Sequence, residues 1–147
     1  MIIRRATAAD IHKVSRLWVK LVKETQPGDT PNADMWRDRM QRMFQMQGYF
    51  MFVAEEGGKI LGFSSFTITN EPAMGEVQAV GQYIYVDPDH RKGKIGALLH
   101  KENLKAAKDN GAQSWVLLCS GTEKPLWMKH GFVEKGYMMI KKLDAEV

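Results

Sequence analysis

A run of strand-forming residues stops at Asp87–Pro88, and the eight residues that follow, DHRKGKIG, hand the chain over to a helical pattern. Proline donates no ladder hydrogen bond, so the strand cannot continue through Pro88. From Ile95 to Asn110, apolar residues recur at helical spacing, with Ile95, Leu98, Leu99 and Ala106 on one face. Leu104 falls nearly opposite, and Glu102 intrudes on the stripe. A strand, a basic glycine-containing loop and a helix in direct succession call for a sheet layer with helices packed against it.

The rest of the chain fits that layering. Ile2 and Ile3 open a short strand, and Thr7 offers a hydroxyl cap to a helix carrying Ile11, Val14, Leu17, Trp18, Leu21 and Val22. Pro27, Gly28, Asp29 and Pro31 mark a loop. Met35, Trp36, Met40, Met43 and Phe44 then line a second helix that ends near Gly48. Tyr49–Ala54 and Ile60–Thr69 flank the Gly57–Gly58 pair and predict a β-hairpin. A turn around Asn70, Pro72 and Gly75 leads into the long strand ending at Val86. Gly111 stops the helix, and Trp115 to Cys119 predicts a fully buried strand. Thr122 caps a short helix that tolerates Pro125, and two strands broken near Gly136 follow Phe132. The expected fold is α/β of the α+β type: a mixed, mostly antiparallel sheet of six to seven strands flanked by about four helices.

At 147 residues the chain suits one domain over residues 1–147. Its 44% apolar and 26% charged content is ordinary for a globular protein. Cys119 is the only cysteine, so no intrachain disulfide forms, and no apolar stretch suggests a signal peptide or a membrane span. A cytoplasmic location without membrane association is expected. The net charge of +4 invites an anionic partner. The densest basic cluster, His90, Arg91, Lys92 and Lys94, lies beside glycines at the strand-to-helix junction. That placement favours a phosphate site over a broad nucleic-acid surface.

A helix N-terminus behind a glycine loop is a ready anion site, because its first amides lack partners and the helix dipole favours negative charge there. Taken alone, the same segment also fits a plain connection with a solvated charge run. Val86, Pro88, Arg91, Ile95 and Gly96 match in place the pattern V-x-P-x-x-R-G-K-G-I-G. Ile3–Thr7 with Asp10, Val53–Glu55, Gly58–Phe63 and Lys129–Phe132 add matches in the same order. Together these residues resemble the GNAT family of acyl-CoA N-acyltransferases over nearly the full length. The chain departs from the pattern at the central glycine, where Lys94 stands and Gly93 precedes it. Lys94 still offers its amide there, and its side chain could add a phosphate contact.

The resemblance implies transfer of an acetyl or other acyl group from acyl-CoA to an amine by direct attack in a ternary complex. Acetyl-CoA is then the co-substrate and no metal is required. His12, His100 and His130 sit on different elements, without metal-ligand spacing. By resemblance, the backbone of Ile84, Tyr85 and Val86 pairs with the pantetheine arm. Arg91, Lys92, Gly93, Lys94, Ile95, Gly96 and Ala97 form the pyrophosphate loop.

Many members of the family carry a carboxylate base where this chain has Val80, and often a tyrosine acid where it has Trp127. Trp127 is expected to pack against the pantetheine or the adjacent core. Gln78 and Gln82 share the face of Val80 by alternation but cannot usefully accept a proton near neutral pH. Glu76 lies roughly 26 Å along the strand from Ile84. Glu24, Asp29 and Asp34 read as solvated loop charge, and the catalytic residues stay unnamed. Cys119 reads as an inert core residue. The Met-rich second helix fits core better than an acceptor pocket.

The expected partner is a small-molecule or peptide amine, and a homodimer is compatible with the sequence. A noncatalytic acyl-CoA-binding protein on the same fold is the main alternative. A basic nucleic-acid-binding module ranks well behind it, for want of an aromatic-basic stacking motif.

Overall fold

The computed structural model describes residues 1–71, 75–119, 122–139, 141 and 143. Its described elements run β1 (Ile2–Arg5), α1 (Ile11–Thr25), α2 (Ala33–Met43), β2 (Tyr49–Glu56), β3 (Lys59–Glu71), β4 (Glu76–Val86), α3 (Ile95–Asp109), β5 (Ser114–Val116) and α4 (Lys124–Lys129). Short 3-10 turns at Ala8–Asp10 and Pro88–His90 precede α1 and α3. The sheet follows chain order, β1-β2-β3-β4-β5, antiparallel except for the parallel β4–β5 pair.

The hairpin forms where the sequence puts it. Gly57 and Gly58 adopt φ of 56° and 80°, and two successive left-handed residues give the turn whose twist suits flanking strands. Helices α1 and α2 cover one face of the sheet through Ile11, Val14, Leu17, Trp36 and Met40, packed on Met51, Val53, Phe63 and Tyr85. Helix α3 covers the other face through Ile95, Leu99 and Ala107, packed on Phe52, Ala54, Phe66 and Ala79. Its contact stripe is Ile95, Leu99, Asn103 and Ala107, one turn apart each. Leu98 and Ala106 flank the stripe, half-buried. Asn103 is tolerated there because Ser64 Oγ donates to its Oδ1 at 2.9 Å, so both buried polar groups are paired. A Cβ on Gly62 would lie 2.9 Å from the Tyr85 carbonyl oxygen and 3.3 Å from Ile95 and Leu99. That close approach seats the first turns of α3 against the end of the sheet.

Several expectations are corrected. Five strands form among the described residues, fewer than the six to seven expected. The buried strand expected over Trp115–Cys119 shrinks to Ser114–Val116 and is only half-buried. Leu118 is 72% exposed, and Cys119 is exposed rather than in the core. Residues 132–139 form no strand, and Val133, Tyr137 and Met139 are exposed. Strand propensity needs a neighbouring edge to act on, and a three-residue β5 offers little. Ile140, within the last strand expected over Tyr137–Lys141, lies outside the described residues. Helix α2 ends at Met43 rather than near Gly48, and Met35 and Met46 are exposed. The N-cap of α4 is Glu123 instead of Thr122.

Candidate functional site

The site begins where β4 and β5 part. They pair only at Gln78–Ser114, Ala79–Trp115 and Val80–Val116. From Gly81 to Val86, the β4 edge on that side has no strand partner among the described residues. A bulge marks the parting: Ser65 faces Tyr83 and Phe66 faces Gly81, so Gln82 has no partner in β3. The expected alternation of Gln78, Val80 and Gln82 on one face therefore breaks at Gln82. A glycine inside a strand was the sequence signal for it.

Beyond the bulge, the edge keeps backbone groups that no strand pairs with among the described residues. Asp87 N–H donates to the Leu61 carbonyl at 2.8 Å, toward β3. By alternation, the polar groups of Ile84 and Val86 point the other way, to the free edge. The Val86 carbonyl there accepts from Arg91 Nε at 2.9 Å.

At the end of this edge, the 3-10 turn at Pro88–His90 leads through exposed Arg91, Lys92, Gly93 and Lys94 into α3. The helix has no side-chain cap at Lys94, so its first amides remain available to an anion. A Cβ on Gly93 would meet nothing within 4 Å, and one on Gly96 would meet only Val86 Cγ2, at 3.8 Å. The loop backbone thus faces open space, as close approach of a pyrophosphate requires. A groove of about 550 Å³ runs along its outer flank, lined by Lys92, Gly93, Ile95, Leu61 and Met1.

The structure brings Ile84, Tyr85 and Val86 together with Arg91 to Ala97 at one end of β4. Trp127 lies on α4. Its indole meets the half-buried His100 ring at 5.1 Å and the Phe132 ring at 5.3 Å. Burial, then the neighbouring His130, pushes the His100 pKa below its ordinary value, which favours the neutral imidazole in this aromatic cluster.

The side chain of Arg91 turns away from the loop. Its Nη2 reaches both Glu24 oxygens, at 3.0 and 2.8 Å, and the guanidinium lies 5.0 Å from the Tyr85 ring centroid. Hydrogen bonding to Glu24 raises the Arg91 pKa. Burial, then the Glu24 carboxylate, pushes the Tyr85 phenol upward. Glu24 thus stands on α1, not in the loop, as the solvent-exposed ion-pair partner of Arg91; residues 67 apart gave no sequence signal of the pairing. Asp34 pairs with Arg37. Val80 lies half-buried between Thr67 and Val116. Among the described residues no group of His, Cys, Asp and Glu could hold a metal, and no helix is long and apolar enough to cross a membrane.

A search of curated proteins returns no match. Solved structures agree in fold over nearly the whole chain. A possible acetyltransferase from Clostridium difficile 630 superposes with a TM-score of 0.82 at 18% identity, covering 97% of each chain. Glucosamine-6-phosphate N-acetyltransferase from Arabidopsis thaliana gives 0.77 at 20% identity, covering 97% of this chain and 98% of its own. Ribosomal-protein-alanine N-acetyltransferase from Brucella melitensis gives 0.77 at 18% identity, covering 97% and 100%. The family model described as acetyltransferase (GNAT) domain matches residues 47–134, a span that holds the hairpin, the parting of β4 from β5, the basic loop and α4. With more than half its length matched by that model, the chain belongs to the GNAT acetyltransferase family.

Proposed function

We propose that this protein moves an acyl group, most simply acetyl, from acyl-CoA to an amine in a ternary complex. The observation that carries the reading is the β4 edge from Gly81 to Val86, without a strand partner among the described residues, running into a helix N-terminus that has no side-chain cap. Pantetheine would extend the sheet along Ile84 and Val86, and the pyrophosphate would sit on the amides from Lys92 to Ala97. The side chains of Lys92 and Lys94 add positive charge, while Arg91 contributes through its place at the start of the loop. Trp127 acts as packing behind the site, through His100. The acceptor is a small-molecule or peptide amine, and the family's chemistry needs no metal.

In the transfer, the uncharged amine attacks the thioester carbonyl, the new C–N bond forms and the C–S bond breaks. A backbone N–H on the free edge can donate to the oxyanion. The proton lost by nitrogen ends on the CoA thiolate, and with a thiol pKa near ~8.5 water can carry it. Neither Val80 nor Trp127 can act as base or acid. Positioning then supplies the rate, with well-oriented reactants gaining roughly 7 to 11 kcal/mol.

The test is calorimetry with acetyl-CoA, followed by thiol release over a panel of polyamine, amino-acid, aminoglycoside and peptide amines. Binding and amine-dependent release are expected. At subsaturating amine, the rate should climb with pH toward each acceptor's own pKa. A common pH profile for acceptors of different pKa would reveal a protein base and refute the base-free mechanism. Tight binding without release from any amine would favour the noncatalytic acyl-CoA-binding reading, which Val80 and Trp127 also suit. No binding at millimolar acetyl-CoA would refute both.

A further inference from the structure

Two ion pairs tie α1 to the segment that carries the basic loop. Lys20 Nζ donates to Asp87 Oδ2 at 2.7 Å, and Glu24 accepts from Arg91 at 2.8 Å. Lys20 and Glu24 are one turn apart on α1, so they share a helix face. Asp87 and Arg91 bracket the Pro88–His90 turn, four residues apart as well. The spacing of one helix is thus matched rung for rung by the chain between β4 and α3.

Each rung has further anchors. Asp87 Oδ1 accepts from Asp89 N–H at 3.0 Å, and Asp87 N–H reaches the Leu61 carbonyl at 2.8 Å. Arg91 adds its Nε contact to the Val86 carbonyl and its seat over the Tyr85 ring. An isolated exposed ion pair contributes little. Here Arg91 is contacted from three sides, by α1, by the β4 backbone and by an aromatic face, which narrows the positions its side chain can take.

We propose that Glu24 is a positioning residue for acyl-CoA: through Arg91 it fixes where the loop leaves β4 and hence where the amides of Lys92 to Ala97 stand. The inference rests on the acyl-CoA reading of that loop. Simple electrostatics predicts the opposite sign, since a carboxylate near a pyrophosphate site repels the ligand. Removing the charge should then tighten binding. If Glu24 acts through Arg91, removing it frees the guanidinium, loosens the loop and weakens binding despite the lost repulsion.

The test compares wild type, Glu24→Gln and Glu24→Ala by acetyl-CoA calorimetry and by 15N backbone order parameters for residues 91–97 without ligand. The expected result is a Kd raised roughly threefold to tenfold in Glu24→Ala, a smaller rise in Glu24→Gln, which keeps one acceptor oxygen, and lower order parameters confined to the loop. The thermal midpoint should stay close to wild type, because the pair is solvent-exposed. Where turnover is measurable, KM for acetyl-CoA should rise with kcat unchanged. Unchanged or tighter binding in Glu24→Ala would overturn the proposal while leaving the acyl-CoA reading intact, and so would unchanged loop order. Absence of acetyl-CoA binding by folded wild type would instead remove the acyl-CoA reading, and the proposal would fall with it; loosened loop order would then show only that the clamp is structural.

Discussion

A Cβ placed on Gly81 would lie 3.0 Å from both Cζ2 and Nε1 of Trp115. The indole of β5 therefore rests against bare backbone where β4 begins to leave it. Trp115 is also held by Phe66 at 5.0 Å and His100 at 5.9 Å between ring centroids, so it has little room to retreat. Gly81→Ala should destabilise the fold by about 1–3 kcal/mol, the range for overpacking. Urea denaturation measures it, and an unchanged midpoint would show that the indole moves freely.

Gly96 gives a prediction of opposite sign for stability and binding. A methyl there meets only Val86 Cγ2, at 3.8 Å, and alanine is favoured over glycine in a helix by up to about 1 kcal/mol. Gly96→Ala should keep or raise the thermal midpoint. If the first turn of α3 receives the pyrophosphate, the same methyl crowds the ligand, and acetyl-CoA affinity should fall about tenfold. Undiminished affinity would place the phosphates elsewhere.

Acid should find Asp10. Arg4 donates to both of its oxygens at 2.8 Å, and Thr7 N–H adds a bond of 2.8 Å. The Arg4 hydrogen bonds, more than the Thr7 contact and against partial burial, lower its pKa from 3.8 to about 2. A carboxylate whose pKa is lower folded than unfolded contributes its full stability above the unfolded value and loses it as pH falls through the folded one. The window thus runs from about pH 4 down to about pH 2. The contribution at neutral pH is at most about 2.5 kcal/mol, and solvent screening lowers it. Asp10→Asn should remove that increment at pH 7 and flatten the stability profile across the window. An equal slope in both proteins would show that Asp10 is not the group titrating.

Much of the layered fold was legible in local chemistry. Gly57–Gly58 between two β-branched and aromatic runs sets a hairpin, Pro88 stops β4, and Gly111, at φ 89°, ends α3. Each acts through backbone conformation that a few neighbouring residues determine. The same local logic placed the glycine loop at a helix N-terminus, and the order of motifs pointed to the family.

What local chemistry could not decide was whatever depends on a distant neighbour. Trp115–Cys119 and the run after Phe132 have strand propensity, yet outside Ser114–Val116 their described residues form no strand. Asn103 interrupts an apolar stripe and is buried because Ser64, 39 residues away, pairs with it. Arg91 looked like a phosphate ligand in a basic run; the fold brings Glu24 across 67 residues to hold its guanidinium. Where the chain turns, stops and changes period follows from φ, ψ and side-chain spacing, which a few neighbouring residues settle. Which polar groups are paired, and which edge has no strand partner among the described residues, depends on what the folded chain brings alongside.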